Sequence, residues 1–161
     1  MNIRLIVVGK INNSPYKAIS DHYINNIGLL IKKAFNGNFD LIEISKSPDR
    51  NIQIRKNKEA KEILKKINKK NSVNFLLDEK GLLISTDILK NHIEKSFLEA
   101  KNEINFIIGG PDGISEDFKI GIYKSLSISK MTLSHLLARV IMLEQLYRSL
   151  SIMANHPYHR E

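Results

Sequence analysis

Residues 104–113, INFIIGGPDG, followed by Ile114 and the triplet Ser115-Glu116-Asp117, carry the reading of the fold. A short run rich in branched residues ends in a glycine turn, and the triplet after it is a good helix start, so the stretch reads as strand, loop, helix. In an open α/β sheet, a loop at the C-terminal end of a strand lies on the edge where ligands bind. Paired glycines there let backbone amides and carbonyls approach a ligand with no Cβ in the way. A plain tight turn is the competing reading, since Pro-Asp-Gly is a common turn sequence.

Working outward, residues 3–8 (IRLIVV), 39–44 (FDLIEI) and 73–77 (VNFLL) have the same character and are bounded by Gly, Asn or Asp. All read as strands. Between the first two, Tyr16, Ile19, Tyr23, Ile27, Leu30 and Ile31 recur at helical spacing, with Ser14 placed as N-cap and Pro15 at the first helical position. Residues 52–70 put Ile63, Leu64 and Ile67 on one helix face, and residues 85–101 do so with Ile88, Leu89, Ile93 and Phe97. Strands separated by helices imply right-handed crossovers and a parallel sheet with helices on both faces: an α/β chain.

The final helix, about 134–154, differs in kind. Leu136, Leu137, Val140, Ile141, Met142, Leu143, Leu146, Tyr147, Leu150 and Met153 cover well over half its circumference. A second subunit packed on this helix accounts for that breadth, as would a central position inside a monomer.

At 161 residues, 42% hydrophobic and 26% charged, the chain suits one domain spanning residues 1–161. Apolar runs are too short to span a membrane, no export leader is legible, and with no cysteine there is neither disulfide nor cysteine-ligated zinc. These features fit a cytoplasmic protein without a membrane partner. A net charge of +8 suggests a polyanionic partner such as nucleic acid, although a lysine- and asparagine-rich composition supplies charge on its own. The run from Arg55 to Asn71 reads first as a solvated helix face.

Phosphate-loop, dinucleotide, HExxH and GxSxG signatures are all absent, and of the five histidines only His156 and His159 sit close enough in sequence to suggest a shared site, so no metal is expected. A second candidate segment is Ser127-Ile128-Ser129-Lys130-Met131-Thr132-Leu133-Ser134-His135, whose backbone suits an adenine edge while Ile128, Met131 and Leu133 cover ring faces. A fifth strand plus a connection is the plainer reading. The terminal Asn155-His156-Pro157-Tyr158-His159-Arg160-Glu161, dense in aromatic and hydrogen-bonding groups, either docks or binds.

Taken together, GGPDG at 109–113, SISKMTLSHLLAR at 127–139, Glu144-Gln145-Leu146-Tyr147-Arg148 and NHPYHRE at 155–161 resemble the ribosomal RNA large-subunit methyltransferase H family, of the knotted SPOUT class. VVGK at 7–10 and LLDEKG at 76–81 extend the resemblance along the whole chain. It implies methylation of N3 of a pseudouridine in bacterial 23S ribosomal RNA, with S-adenosylmethionine as donor, by a homodimer whose C-terminal segment forms a trefoil knot. Each site of such a dimer is completed by the partner. The implied donor pocket maps onto Leu77, Gly109 and the run Ile128, Ser129, Lys130, Met131, Thr132 and Leu133, beside the glycine pair to which Gly110 belongs. Ser134, where the family often has proline, and the lack of a proline after His135 are departures.

N3 of pseudouridine carries a proton, so a base must help remove it; His135, His159 and Asp112 are the candidates. Arg139, Arg148 and Arg160 suit phosphate or base edges, with His159 beside them, and Tyr158 offers a stacking face. Pairing with Glu144 is the alternative for Arg139 and Arg148. With no added RNA-binding module, the expected substrate is the assembled ribosome. The rivals are a knotted RNA-binding or assembly module without catalysis and a generic nucleotide-binding α/β protein.

Overall fold

All six residues of β4 (Glu103–Ile108) are buried, because the strand runs down the middle of the sheet with helices against both faces. The computed structural model describes residues 2–12, 14–67, 71–122 and 124–158, the side chains of 120–122 excepted. Around β4 stand β1 (Asn2–Val8), β2 (Asn38–Ile44), β3 (Ser72–Leu83) and β5 (Lys124–Ser127) in the order β2-β1-β4-β3-β5, every pairing parallel. Ile104 pairs with Ile3 on one side and Val73 on the other, and Phe106 with Leu5 and Phe75, so the central strands form a continuous apolar layer.

Three helices cover one face: α1 (Pro15–Phe35), α3 (Thr86–Leu98) and α5 (His135–Met153), whose Ile27, Ile31, Leu89, Ile93, Leu143 and Leu146 pack over Leu5, Phe75 and Phe106. On the other face α2 (Ile52–Lys66) and α4 (Glu116–Ile122) cover Ile6, Val8, Leu76 and Ile107 with Ala60, Ile63 and Phe118. The start of α1 follows local chemistry, for Ser14 accepts a hydrogen bond from the Tyr16 amide and Pro15 stands in the first turn. Two residues expected on buried stripes are exposed: Ile19 at 46% and Ile88 at 38%. Each stands one position, about 100°, from a buried neighbour, Ser20 or Leu89, that is turned inward instead.

The larger departures from the sequence reading lie at the sheet's far edge. β3 does not stop at Leu77 but runs to Leu83, with its pairing to β5 shifting register between Leu77 and Leu82. Gly81 permits this: a Cβ there would lie 2.6 Å from the Leu126 amide nitrogen, so only glycine lets the two backbones pass so closely. The fifth strand ends at Ser127, so residues 128–134 are connection rather than strand. Along α5, α1 and α3 bury Met142, Leu143, Leu146, Tyr147 and Leu150, while Leu136, Leu137, Val140 and Ile141 stay half-buried in the single chain. Among the described residues, no helix is long and apolar enough to cross a membrane.

Candidate active site

The loops that leave β4 and β5, together with the middle of β3, enclose a cleft of about 430 Å³. One wall is the glycine loop, closed by a hydrogen bond from the Gly113 amide to the Gly110 carbonyl at 2.9 Å. A Cβ on Gly109 would stand 2.7 Å from Ile114 Cγ1 and 3.2 Å from the Gly113 carbonyl carbon, so the turn folds this tightly only on glycine. From outside, Arg55 holds the loop, its Nε and Nη2 each 2.7 Å from Asp112 Oδ2 and its Nη1 donating to the Asp49 carbonyl at 2.9 Å.

The second wall is the 128–134 connection. Ser127 Oγ donates to the Ser129 carbonyl at 2.8 Å, and the Met131 amide donates to Ser129 Oγ at 2.9 Å, which curls the segment along the cleft. Thr132 Oγ1 donates to Glu79 Oε2 at 3.0 Å, tying this wall to the third, residues 76–80. There Asp78 meets Lys119 at 2.6 Å, both largely buried. Burial alone would raise the Asp78 pKa, but the Lys119 ammonium and the Lys80 amide outweigh it and hold the carboxyl below its ordinary value. Burial likewise opposes the charge on Lys119, and Asp78 with Glu116 overcomes it, so that lysine stays cationic well above neutral pH.

Of the expected donor-pocket residues, Leu77, Gly109, Gly110, Ile128, Ser129, Met131, Thr132 and Leu133 line this one cleft. Lys130 does not; it is exposed on the outside of the connection. Asp112 and His135 also line it, Asp112 with its carboxylate engaged by Arg55. His135 opens α5 beneath the Ser134 cap, and burial, then the charges of Lys46 and Arg139, push its pKa below 6.5. It is therefore neutral at pH 7.

The expected RNA-contact residues lie elsewhere. Arg139 is 4% exposed and bonded to Glu43 Oε1 at 2.6 Å, not to Glu144. Five positions along a helix turn a side chain about 140° away, whereas the four from Glu144 to Arg148 bring that pair together. The tail docks at least as far as Tyr158, whose hydroxyl donates to Glu144 Oε1 at 3.2 Å and lies 3.4 Å from that of Tyr23, while its ring packs 4.5 Å from Tyr147 and under Arg148. His159 and Arg160 lie outside the described residues. Asp78, Glu79, Lys119, Glu43 and Glu59 were not singled out from sequence; the first two stand in LLDEKG directly after Leu77, which was the available signal.

The model of a family described as "Predicted SPOUT methyltransferase" matches residues 1–159. Proteins named ribosomal RNA large subunit methyltransferase H are similar over essentially the full chain. That of Fusobacterium nucleatum is 37% identical over 163 residues, covering 99% of this chain and 100% of its own. The Flavobacterium psychrophilum protein is 34% identical over 164 residues, 100% of both, and that of Clostridium botulinum strain Okra 39% over 166 residues, 99% of this chain and 100% of its own. The chain belongs to the SPOUT methyltransferases, and among them to the ribosomal RNA large subunit methyltransferase H family.

Proposed function

We propose that this protein transfers the methyl group of S-adenosylmethionine to N3 of a pseudouridine in 23S ribosomal RNA, acting as a homodimer on assembled ribosomal particles in the cytoplasm. The observation that carries the reading is the single cleft that draws together Leu77, the glycine pair and the 128–133 connection, three segments far apart in sequence. Its volume lies within the roughly 300–1,000 Å³ usual for small-molecule sites.

In this reading the curled backbone of 128–133 meets the adenine edge, Leu77, Ile128 and Leu133 cover its faces, and the glycine loop admits the rest of the donor. S-adenosylmethionine, when bound, supplies an electrophilic methyl group on a sulfonium. The chain's own work is to align the acceptor nitrogen with that methyl and keep water out. His135, at the cleft and neutral at pH 7, accepts the N3 proton as the new N–C bond forms. It fits better than Asp112, whose carboxylate is already bound to Arg55.

The dimer reading rests on α5. Arg148 is thirteen residues beyond His135, about 20 Å along the helix, so the docked tail of one chain lies far from that chain's own cleft. A partner packed on the half-buried Leu136, Leu137 and Ile141 brings its tail, with Arg148, Tyr158, His159 and Arg160, to the RNA side of the neighbouring cleft. Membership of the SPOUT methyltransferases supports a C-terminal segment threaded as a trefoil knot.

Calorimetric titration with S-adenosylmethionine tests the reading, beside Thr132→Trp, which places a bulky ring at the cleft lining. Specific binding by the wild type, lost in the variant, is expected, followed by methyl transfer to large subunits at a pseudouridine located by mass spectrometry. A folded protein that binds ribosomes but never the donor, even with ribosomes present, would instead be a non-catalytic knotted RNA-binding module.

A further inference from the structure

Beside the cleft, at the C-terminal end of β2, lies a second recess of about 350 Å³ lined by Lys46, Lys58, Lys61 and Lys65 with Glu59 and Glu62. Lys58, Lys61 and Lys65 recur at three and four on α2 and so share a face. Lys58 is paired with Asp49 at 2.9 Å and Lys65 with Glu62. Lys46 and Lys61 are exposed and form no ion pair among the described residues. Glu59 forms no ion pair with either lysine: it is 4% exposed, its Oε1 accepts from the Ser47 amide at 3.0 Å, and its Oε2 lies 2.8 Å from where a Gly110 Cβ would be. The same glutamate thus shapes the recess and touches the glycine loop of the cleft.

β2 and β4 are separated by β1 alone, two strand spacings or roughly 10 Å. Lys46 narrows that gap further. Its Cε lies 3.0 Å, and His135 Nε2 3.7 Å, from the same point, the position a Cβ on Gly9 would take. Lys46 therefore borders the site where an acceptor base would enter, and Lys61 lines the same recess from α2, on the edge of the sheet that carries the donor cleft.

We propose that this recess holds the sugar–phosphate backbone of the RNA strand flanking the acceptor nucleotide, with Lys46 and Lys61 as its phosphate contacts. The proposal rests on the methyltransferase reading and deepens it, assigning a substrate-binding surface outside the cleft. Compact ammonium groups on flexible stems suit phosphate, which positions a strand without reading its sequence. Each phosphate neutralised releases counterions, which gives the contact a salt dependence that a purely structural lysine lacks.

The test measures methyl transfer to large ribosomal subunits across a salt series for wild type, Lys46→Gln/Lys61→Gln, and the charge-matched control Lys32→Gln/Lys33→Gln at the far end of α1. The double variant is expected to show a KM raised several-fold, a salt slope shallower by roughly 1 to 2, and unchanged affinity for S-adenosylmethionine and unchanged thermal midpoint. A KM and slope equal to those of the control would overturn the proposal. So would a shift of sedimentation to monomer, which would make the recess a contact between subunits. Failure of the wild type to bind the donor would sink the methyltransferase reading itself, a separately visible result.

Discussion

His135 is where the electrostatics of the cleft become measurable. Its pKa is lowered from 6.5 by burial first and by Lys46 and Arg139 after it, so the charged form is disfavoured in the folded protein. For a base that must be neutral, the acid limb of kcat/KM therefore falls below pH 6.5, and His135→Gln is expected to lower activity by roughly 100-fold and remove that limb. A variant that keeps the limb would assign the base elsewhere. Linkage has the same sign: the unfolded chain takes up this proton first as pH falls, so the stability present above about pH 6.5 declines below it. Gly109 gives a second prediction, in packing. A methyl 2.7 Å from Ile114 Cγ1 overpacks the turn, so Gly109→Ala should cost about 1–3 kcal/mol in urea denaturation, and combined with Ile114→Ala, which removes that carbon, it should cost less than the sum of the two single changes.

At the scale of elements, α5 depends on two local devices. Ser134 caps it by accepting from the Leu137 amide, so Ser134→Ala should cost about 1 kcal/mol in chemical denaturation. Ser134→Pro should cost less, because its φ of −62° already matches proline. The second device is the Glu43 carboxylate, which ties α5 to β2 and also accepts the Ile11 amide at 3.2 Å. Glu43→Ala leaves the Arg139 guanidinium buried with its Nε already lacking a partner, a loss of about 3 kcal/mol or more by the same measurement. These elements show what the chain makes legible. The cap at Ser14, the apolar stripes and the glycine loop are local patterns and can be read in order. The extension of β3 through Asp78-Glu79-Lys80-Gly81 cannot, because those residues look like a turn until β5, some forty positions later, pairs with Leu82 and Leu83. Arg139 is illegible for the same reason, its partner being 96 residues upstream, and Glu59 looks like one more charge on a solvated helix although it is buried. Residues 109–113 and 127–133 were readable as candidate sites because backbone-rich loops declare themselves in composition, whereas paired charges do not.

At the scale of the whole molecule, the distance along α5 separates the cleft from the tail proposed to contact RNA. The cleft opens near His135, and the tail docks near Arg148 and Tyr158, about 20 Å away on the same helix. If each active site takes its cleft from one protomer and its tail from the other, defects in the two parts should complement. A protomer with Thr132→Trp and a protomer lacking residues 159–161 would each form inactive dimers alone. Mixed in equal amounts and allowed to exchange, half the dimers are hybrids, and in each hybrid one site carries both defects and the other neither. Activity should therefore recover to about a quarter of wild type. If cleft and tail served within one chain, every site in every hybrid would carry one defect, and mixing would restore nothing. The experiment needs the variants to remain dimeric by sedimentation.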